Sequence, residues 1–220
     1  MKYFFIAILG LWLLTASVAG STQTPLSEDF EHGVPQSWTT EGLGPQPDKG
    51  RVEDDEETGG NHFLRISTDG SFYSFGIDSP FNPAEYPIVT WRWRVDRLPD
   101  KADISTRKGD DAAARVFIVF HDATNPAIKR KLEYVWDTSH PAGSVIPDPF
   151  APDTEKAIVL ESGSAKVGQW VHEEVNLVRD YERAFGDKPG RVKTIAFASN
   201  SEETHSATMA DLDDLQIAGK

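Results

Sequence analysis

The 220-residue chain contains no cysteine. Disulfides and a lipid carried on an N-terminal cysteine are thereby excluded, so stability has to come from a buried core. Positive charge is scarce: 22 Lys and Arg stand against 35 Asp and Glu, for a net charge of -13. Such a surface repels phosphate backbones and anionic bilayers, and nucleic acid is not expected as a partner. Acidity suits bound cations or neutral sugars, and it also serves plain solubility. Beyond the first twenty residues no stretch is apolar for long enough to cross a bilayer. Catalytic signatures are missing as well. The six histidines, His32, His62, His121, His140, His172 and His205, show no HExxH or comparable ligand spacing. There is no G-x-S-x-G elbow, no P-loop and no dinucleotide fingerprint, which argues against serine-elbow hydrolysis and nucleotide chemistry.

What is present begins with a targeting pattern. Lys2 gives a positive start, Tyr3 to Leu14 are largely apolar, and Thr15 to Gly20 are mostly small. Ser17-Val18-Ala19 has the small-x-small form of a signal-peptidase site, so residues 1–19 read as a signal peptide cleaved after Ala19. An uncleaved anchor is the alternative, disfavoured because the run is shorter than the ~20 residues of a span. Residues 20–220 then form a single domain in a periplasmic or secreted protein, with no stable membrane span after processing. Aromatics at 10% supply apolar mass for one core.

Strand signals dominate after residue 60. Period-two alternation marks Phe63 to Thr68, Phe72 to Asp78, Ile88 to Val95, Ala114 to Phe120 and Leu132 to Trp136. It continues through Ala157 to Glu161, Trp170 to Leu177, Lys193 to Ser199 and Thr208 to Ile217. A short strand is expected near Phe30, and the acidic run Glu53 to Glu57 reads as a solvated loop. Asp69-Gly70 tolerates the positive φ of a tight turn, which predicts a hairpin between its flanking strands. About nine strands with only loops between them predict an all-β fold, a two-sheet antiparallel β-sandwich of jelly-roll type. One short helix is expected near 177–185, capped by Asn176 and ended by Gly186, with Val178, Tyr181 and Phe185 on one face.

Alternation also assigns faces. In Val89 to Val95 the Val and Trp residues share the core face, opposite Thr90, Arg92 and Arg94. Arg115 shares a face with Phe117 and Val119, which requires a carboxylate partner for it, Glu161 or Asp111.

Several segments together resemble a known family. They are Trp91-Arg92-Trp93, the run Gly109-Asp110-Asp111 through Arg115-Val116, Tyr134-Val135-Trp136, Glu161-Ser162-Gly163, Gly168-Gln169-Trp170, and Asp180-Tyr181 through Phe185-Gly186. The chain resembles, from about Asp29 to Ile217, the bacterial exported family known as domain of unknown function 3047. That resemblance implies an exported sandwich similar to carbohydrate-binding modules and brings no catalytic residues with it. It also implies more acidic character around Ser199-Asn200-Ser201 than these residues have.

Two constellations are candidates for function. Asp29 and Glu31 near the start, with Asp211, Asp213 and Asp214 near the end, would converge if the terminal strands pair. Hard oxygen donors in that number suit a structural Ca²⁺. The plainer reading is a set of edge-strand carboxylates that block strand addition. The second constellation is Asp110, Asp111, Arg115, Tyr134, Trp136 and Glu161. Aromatic rings stack on sugar faces while Arg, Asp and Glu bond hydroxyls, so this is a ligand-binding inventory for a carbohydrate or envelope polymer. Against it stands a core role for Tyr134 and Trp136. An enzyme would need paired carboxylates, nominally Asp111 and Glu161, in a glycan hydrolase or lyase. The sequence leans away from catalysis and toward non-catalytic binding, with a structural envelope protein that meets another protein as the third reading.

Overall fold

The computed structural model describes residues 25–43, 50–57, 59–125 and 127–219. The expected signal peptide, 1–19, lies outside the described residues. In chain order the strands are β1 (Ser27–Glu28), β2 (Thr39–Leu43), β3 (Arg51–Glu56), β4 (His62–Asp69), β5 (Phe72–Phe81), β6 (Ile88–Arg97) and β7 (Ala112–His121). They continue as β8 (Lys129–Asp137), β9 (Val145–Pro147), β10 (Glu155–Ser162), β11 (Val171–Asn176), helix α1 (Leu177–Phe185), β12 (Val192–Asn200) and β13 (Ala207–Ala218).

Two sheets face one another. One has the order β11-β6-β13-β4-β3 with β1 added on β13; the other runs β2-β5-β12-β7-β8-β10-β9. All pairings are antiparallel except β8 with β10, which is parallel. The fold is the expected β-sandwich. Alternation builds its core as anticipated: Val89, Trp91, Trp93 and Val95 of β6 are buried and meet Val116, Ile118, Phe120, Tyr134 and Trp136 of the opposite sheet. Trp91 lies 5.6 Å from Tyr134 and Trp93 6.0 Å from Trp136, centroid to centroid. These rings bury large apolar areas and dominate the stability of a chain without crosslinks.

Helix α1 has the expected limits. The Asn176 side chain accepts from the Arg179 N–H, and Gly186 takes φ 78° and donates to the Glu182 carbonyl. Tyr181 is buried with its ring 4.9 Å from Phe120, which fixes the helix to the sandwich.

Two expectations are corrected. The acidic run is a strand, β3, paired along the edge with β4. Its carboxylates have basic partners there, such as Asp55 with Arg65 at 2.8 Å, so charge does not keep it from the sheet. Nor do β4 and β5 form a hairpin: β4 belongs to the six-stranded sheet and β5 to the seven-stranded one. Gly70 does adopt positive φ, 58°. Its turn carries the chain from one sheet to the other, because the buried hydroxyls of Thr68 and Ser201 bond across the corner and Thr68 also bonds Thr208.

Candidate ligand-binding site

The outer face of the seven-stranded sheet is concave and walled. On β7 the inward residues are Val116, Ile118 and Phe120, which leaves Arg115, Phe117 and Val119 outward. On β8 the same rule leaves Lys131, Glu133 and Val135 outward. Ile104, from the loop between β6 and β7, packs with Val135, Ile146, Ala157 and Val159 into a second small core over one end of this face. That loop closes at Gly109, where a Cβ would stand 2.9 Å from the Asp103 nitrogen and would block the Asp103 N–H to Gly109 carbonyl bond. The loop between β9 and β10 is tied to it by Arg107, which donates to the Pro149 carbonyl at 2.9 Å and stands 5.2 Å from the Phe150 ring.

Between these walls and the link from β12 to β13 lies a cavity of about 400 Å³. Arg115, Phe117, Lys131 and Glu133 form its floor, and Phe150, Glu202 and Glu203 lie at its sides. A second basin of about 610 Å³ shares Phe72, Phe117 and Lys131 with the first and extends over β5 and β12. The two form one groove. Phe150 is 52% exposed, and among the described residues only Ile128 is another large apolar side chain so open to solvent.

Arg115 organises the floor. It is nearly buried, and its guanidinium donates to Glu133 Oε2 at 2.6 Å, to Asp110 Oδ1 at 2.6 Å and to Asn200 Oδ1 at 3.0 Å. Burial opposes its charge, but Asp110 and Glu133 outweigh that and push its pKa up. Burial likewise opposes the charge of Glu133, yet Lys131 and Arg115 hold its carboxyl below the usual range. Asp110 differs: burial pushes it up to about 6, and the pull of Arg115 does not offset this. Lys131 bridges Glu133 at 2.9 Å and Glu155 at 2.5 Å.

The six residues expected to bind a ligand are therefore separated. Asp110 and Arg115 are in the groove. Asp111 is fully buried behind its wall and accepts the backbone N–H groups of Glu203 and Thr204. Tyr134 and Trp136 are core residues at 0% and 1% exposure, so neither ring is available to a sugar. Their polar tips are satisfied internally, by Asp180 and by the Gly163 carbonyl. Glu161 sits elsewhere, paired with Lys166. The partners of Arg115 are Asp110 and Glu133, not Asp111 or Glu161.

The expected calcium ligands are also apart. The terminal strands do pair, Ser27 with Gln216 and Glu28 with Leu215. The carboxylates of Asp211, Asp213 and Asp214 face guanidinium groups instead of one another: Asp211 pairs with Arg65 and Arg94, and Asp213 and Asp214 pair with Arg92. Glu31 binds His62, and Asp29 accepts from the Glu31 N–H. Among the described residues the acidic side chains close enough to share an ion are Glu133, Asp148 and Glu155, with ligand atoms within 4.8 Å of one another. Lys131 already supplies the positive charge at two of them.

Fold and groove define a β-sandwich protein with a ligand-sized cleft on one outer face. The chain belongs to the family described as "Protein of unknown function (DUF3047)", whose pattern matches residues 37–216. No curated protein matches it. Among solved structures it is similar to TmCBM61 in complex with β-1,4-galactotriose, at 11% identity and a TM-score of 0.46, over 90% of this chain and 100% of that one. It is similar to the CBM22-1 xylan-binding domain of Xyn10C from Paenibacillus barcinonensis, at 12% identity and a TM-score of 0.45, over 89% and 94% of the two chains. A third is the K1 cleaved adhesin domain of Lys-gingipain from Porphyromonas gingivalis W83, at 16% identity and a TM-score of 0.42, over 89% and 98%. Their ligands are properties of those proteins.

Proposed function

We propose that the chain is a non-catalytic carbohydrate-binding protein that works outside the cytoplasm, with its ligand in the groove on the seven-stranded sheet. The observation that carries this reading is the exposed Phe150 at the side of a concave floor that carries fixed polar groups. A sugar ring offers apolar C–H faces to an aromatic ring and hydroxyls to charged groups, and a groove of some hundreds of cubic ångströms is the size such ligands fill. The floor is held rigid by Arg115 and Lys131, so little ordering is needed on binding. The location outside the cytoplasm rests on the signal-like pattern of residues 2–19. No helix among the described residues is long and apolar enough to cross a membrane.

The test is a screen of wild type, Phe150→Ala and Trp170→Ala against a panel of oligosaccharides. A glycan bound by wild type and Trp170→Ala, and about tenfold weaker with Phe150→Ala, supports the reading. Equal binding by all three removes the groove from it.

One observation favours a second reading, a glycan hydrolase. Asp110, raised to about 6 by burial, lies in the groove with the ionised Glu133 on the same guanidinium. A carboxyl whose pKa is raised toward neutrality beside one held ionised is what acid–base cleavage uses. Release of reducing ends from a bound glycan, lost in Asp110→Asn while affinity is kept, would establish it.

A further inference from the structure

We infer that the groove is matched to a glycan carrying free amino groups, in preference to a neutral or an acidic one. The inference rests on the carbohydrate-binding reading above and narrows its ligand class.

Six carboxylates line the first basin, Asp110, Glu133, Asp148, Glu155, Glu202 and Glu203, against two cations, Arg115 and Lys131. Both cations are engaged: Arg115 with Asp110 and Glu133, Lys131 with Glu133 and Glu155. Among the described residues no cation is within salt-bridge distance of Asp148, Glu202 or Glu203, and the Asp148 Oδ1 accepts the backbone N–H groups of Phe150 and Ala151. Asp111, fully buried behind the Glu202 segment, has no salt-bridge partner among the described residues either. Burial, followed by the charges of Asp111, Glu203 and Asp110, raises the pKa of Glu202, and the pull of Arg115 offsets this only in part.

Two further observations point to a ligand as the source of that charge. Phe150, 52% exposed, lines this basin and leaves an apolar ring beside the carboxylates. The adjoining basin is balanced, with Glu41 and Asp78 against Lys131 and Lys193. The excess of negative charge is thus confined to the end of the groove where Phe150 lies. A sugar ring stacked on Phe150 would place its amino substituent within this field, while neutral residues continue along the second basin. A uronic acid there would add a like charge to three carboxylates that have no salt-bridge partner among the described residues.

The test is calorimetric titration of the full chain with glucosamine oligomers, N-acetylglucosamine oligomers of the same length, oligogalacturonate and a lysine oligomer, with and without chelator. Wild type is expected to bind glucosamine oligomers about tenfold tighter than the acetylated ones, more so at low salt. Oligogalacturonate should not bind, and Glu202→Gln with Glu203→Gln should abolish the preference while the acetylated ligand is unaffected. Both positions are partly exposed, so the variant is expected to fold, which circular dichroism checks. Equal affinity for the two oligomers overturns the amine preference and leaves the carbohydrate reading standing. Failure of all sugars overturns both. A lysine oligomer that binds as tightly as glucosamine, or a preference that vanishes in chelator, also overturns the inference, in favour of a charge-only surface or a metal-mediated one.

Discussion

The two outer faces of the sandwich use the same residue types to opposite ends. On the six-stranded sheet Arg65, Arg92 and Arg94 alternate with Asp211 and Asp213 from neighbouring strands, and Asp55, Asp96 and Glu57 complete the ladder. The Trp170 ring covers it, 4.6 Å from the Arg92 guanidinium and 4.8 Å from that of Arg94. On the seven-stranded sheet Arg115 and Lys131 make a similar ladder with Asp110, Glu133 and Glu155. There no described ring lies over Arg115, Phe117 packs against Lys131 at 4.5 Å within the floor, Phe150 stands at the side, and three further carboxylates have no salt-bridge partner among the described residues. A charge ladder under a lid is a scaffold; the same ladder left open at the bottom of a groove is a surface that a ligand can complete. What separates them is the cover, which comes from loops.

The strongest way to break this comparison is to remove the arginine of the open ladder. Arg115→Met leaves two buried carboxylates without their guanidinium and is expected to cost about 3–5 kcal/mol in urea unfolding. A loss under 1 kcal/mol would mean that the floor is not held by charge. On the covered face Trp170→Ala should cost about 1–2 kcal/mol through two lost cation–π contacts and leave any glycan affinity alone. Phe150→Ala should do the reverse, with stability within about 0.5 kcal/mol of wild type because the ring is largely in solvent. If Phe150→Ala melts early and Trp170→Ala loses binding, the roles assigned to the two faces are exchanged.

The smallest expected effect concerns a carboxyl that belongs to neither ladder. Glu173 of β11 accepts from the Trp93 indole at 3.1 Å, and burial, then the charge of Glu161, pushes its pKa up to about 7. Its folded pKa is above the unfolded value of 4.5, so its stabilising contribution is fully present below that pH and is lost as pH rises through about 7. Glu173→Gln, which mimics the protonated form, should melt a few degrees above wild type at pH 8 and level with it at pH 4.5. The same difference at both pH values would show that the effect is not titration.

Alternation along the strands made the fold legible, since it placed the Val and Trp residues of β6 inward and marked Arg115 as an arginine in need of a carboxylate. It also carried the partner, unread. Leu132, Tyr134 and Trp136 share the core face of β8, so Lys131 and Glu133 must share the face of Arg115 on the neighbouring strand. Asp111 and Glu161 attracted attention because they lie in family segments, but their side chains are fixed by a backbone turn and by Lys166. Phe150 could not be found by period, because it stands in a Pro-flanked loop whose position depends on Arg107 from another loop. The partition of β4 and β5 between sheets was hidden for the same reason. The positive φ of Gly70 is local, whereas the hydroxyl bonds that turn the corner come from residues more than 130 positions away.

The most direct test of the central claim, that the groove on the seven-stranded sheet is where a sugar binds, is amide chemical-shift mapping of the chain with a bound oligosaccharide. Shifts concentrated at Phe117, Lys131, Phe150 and the segment from Asn200 to Glu203 are predicted, with Arg94 and Trp170 on the covered face unmoved. Shifts centred on Trp170 and its arginines, or scattered over both faces, would contradict it.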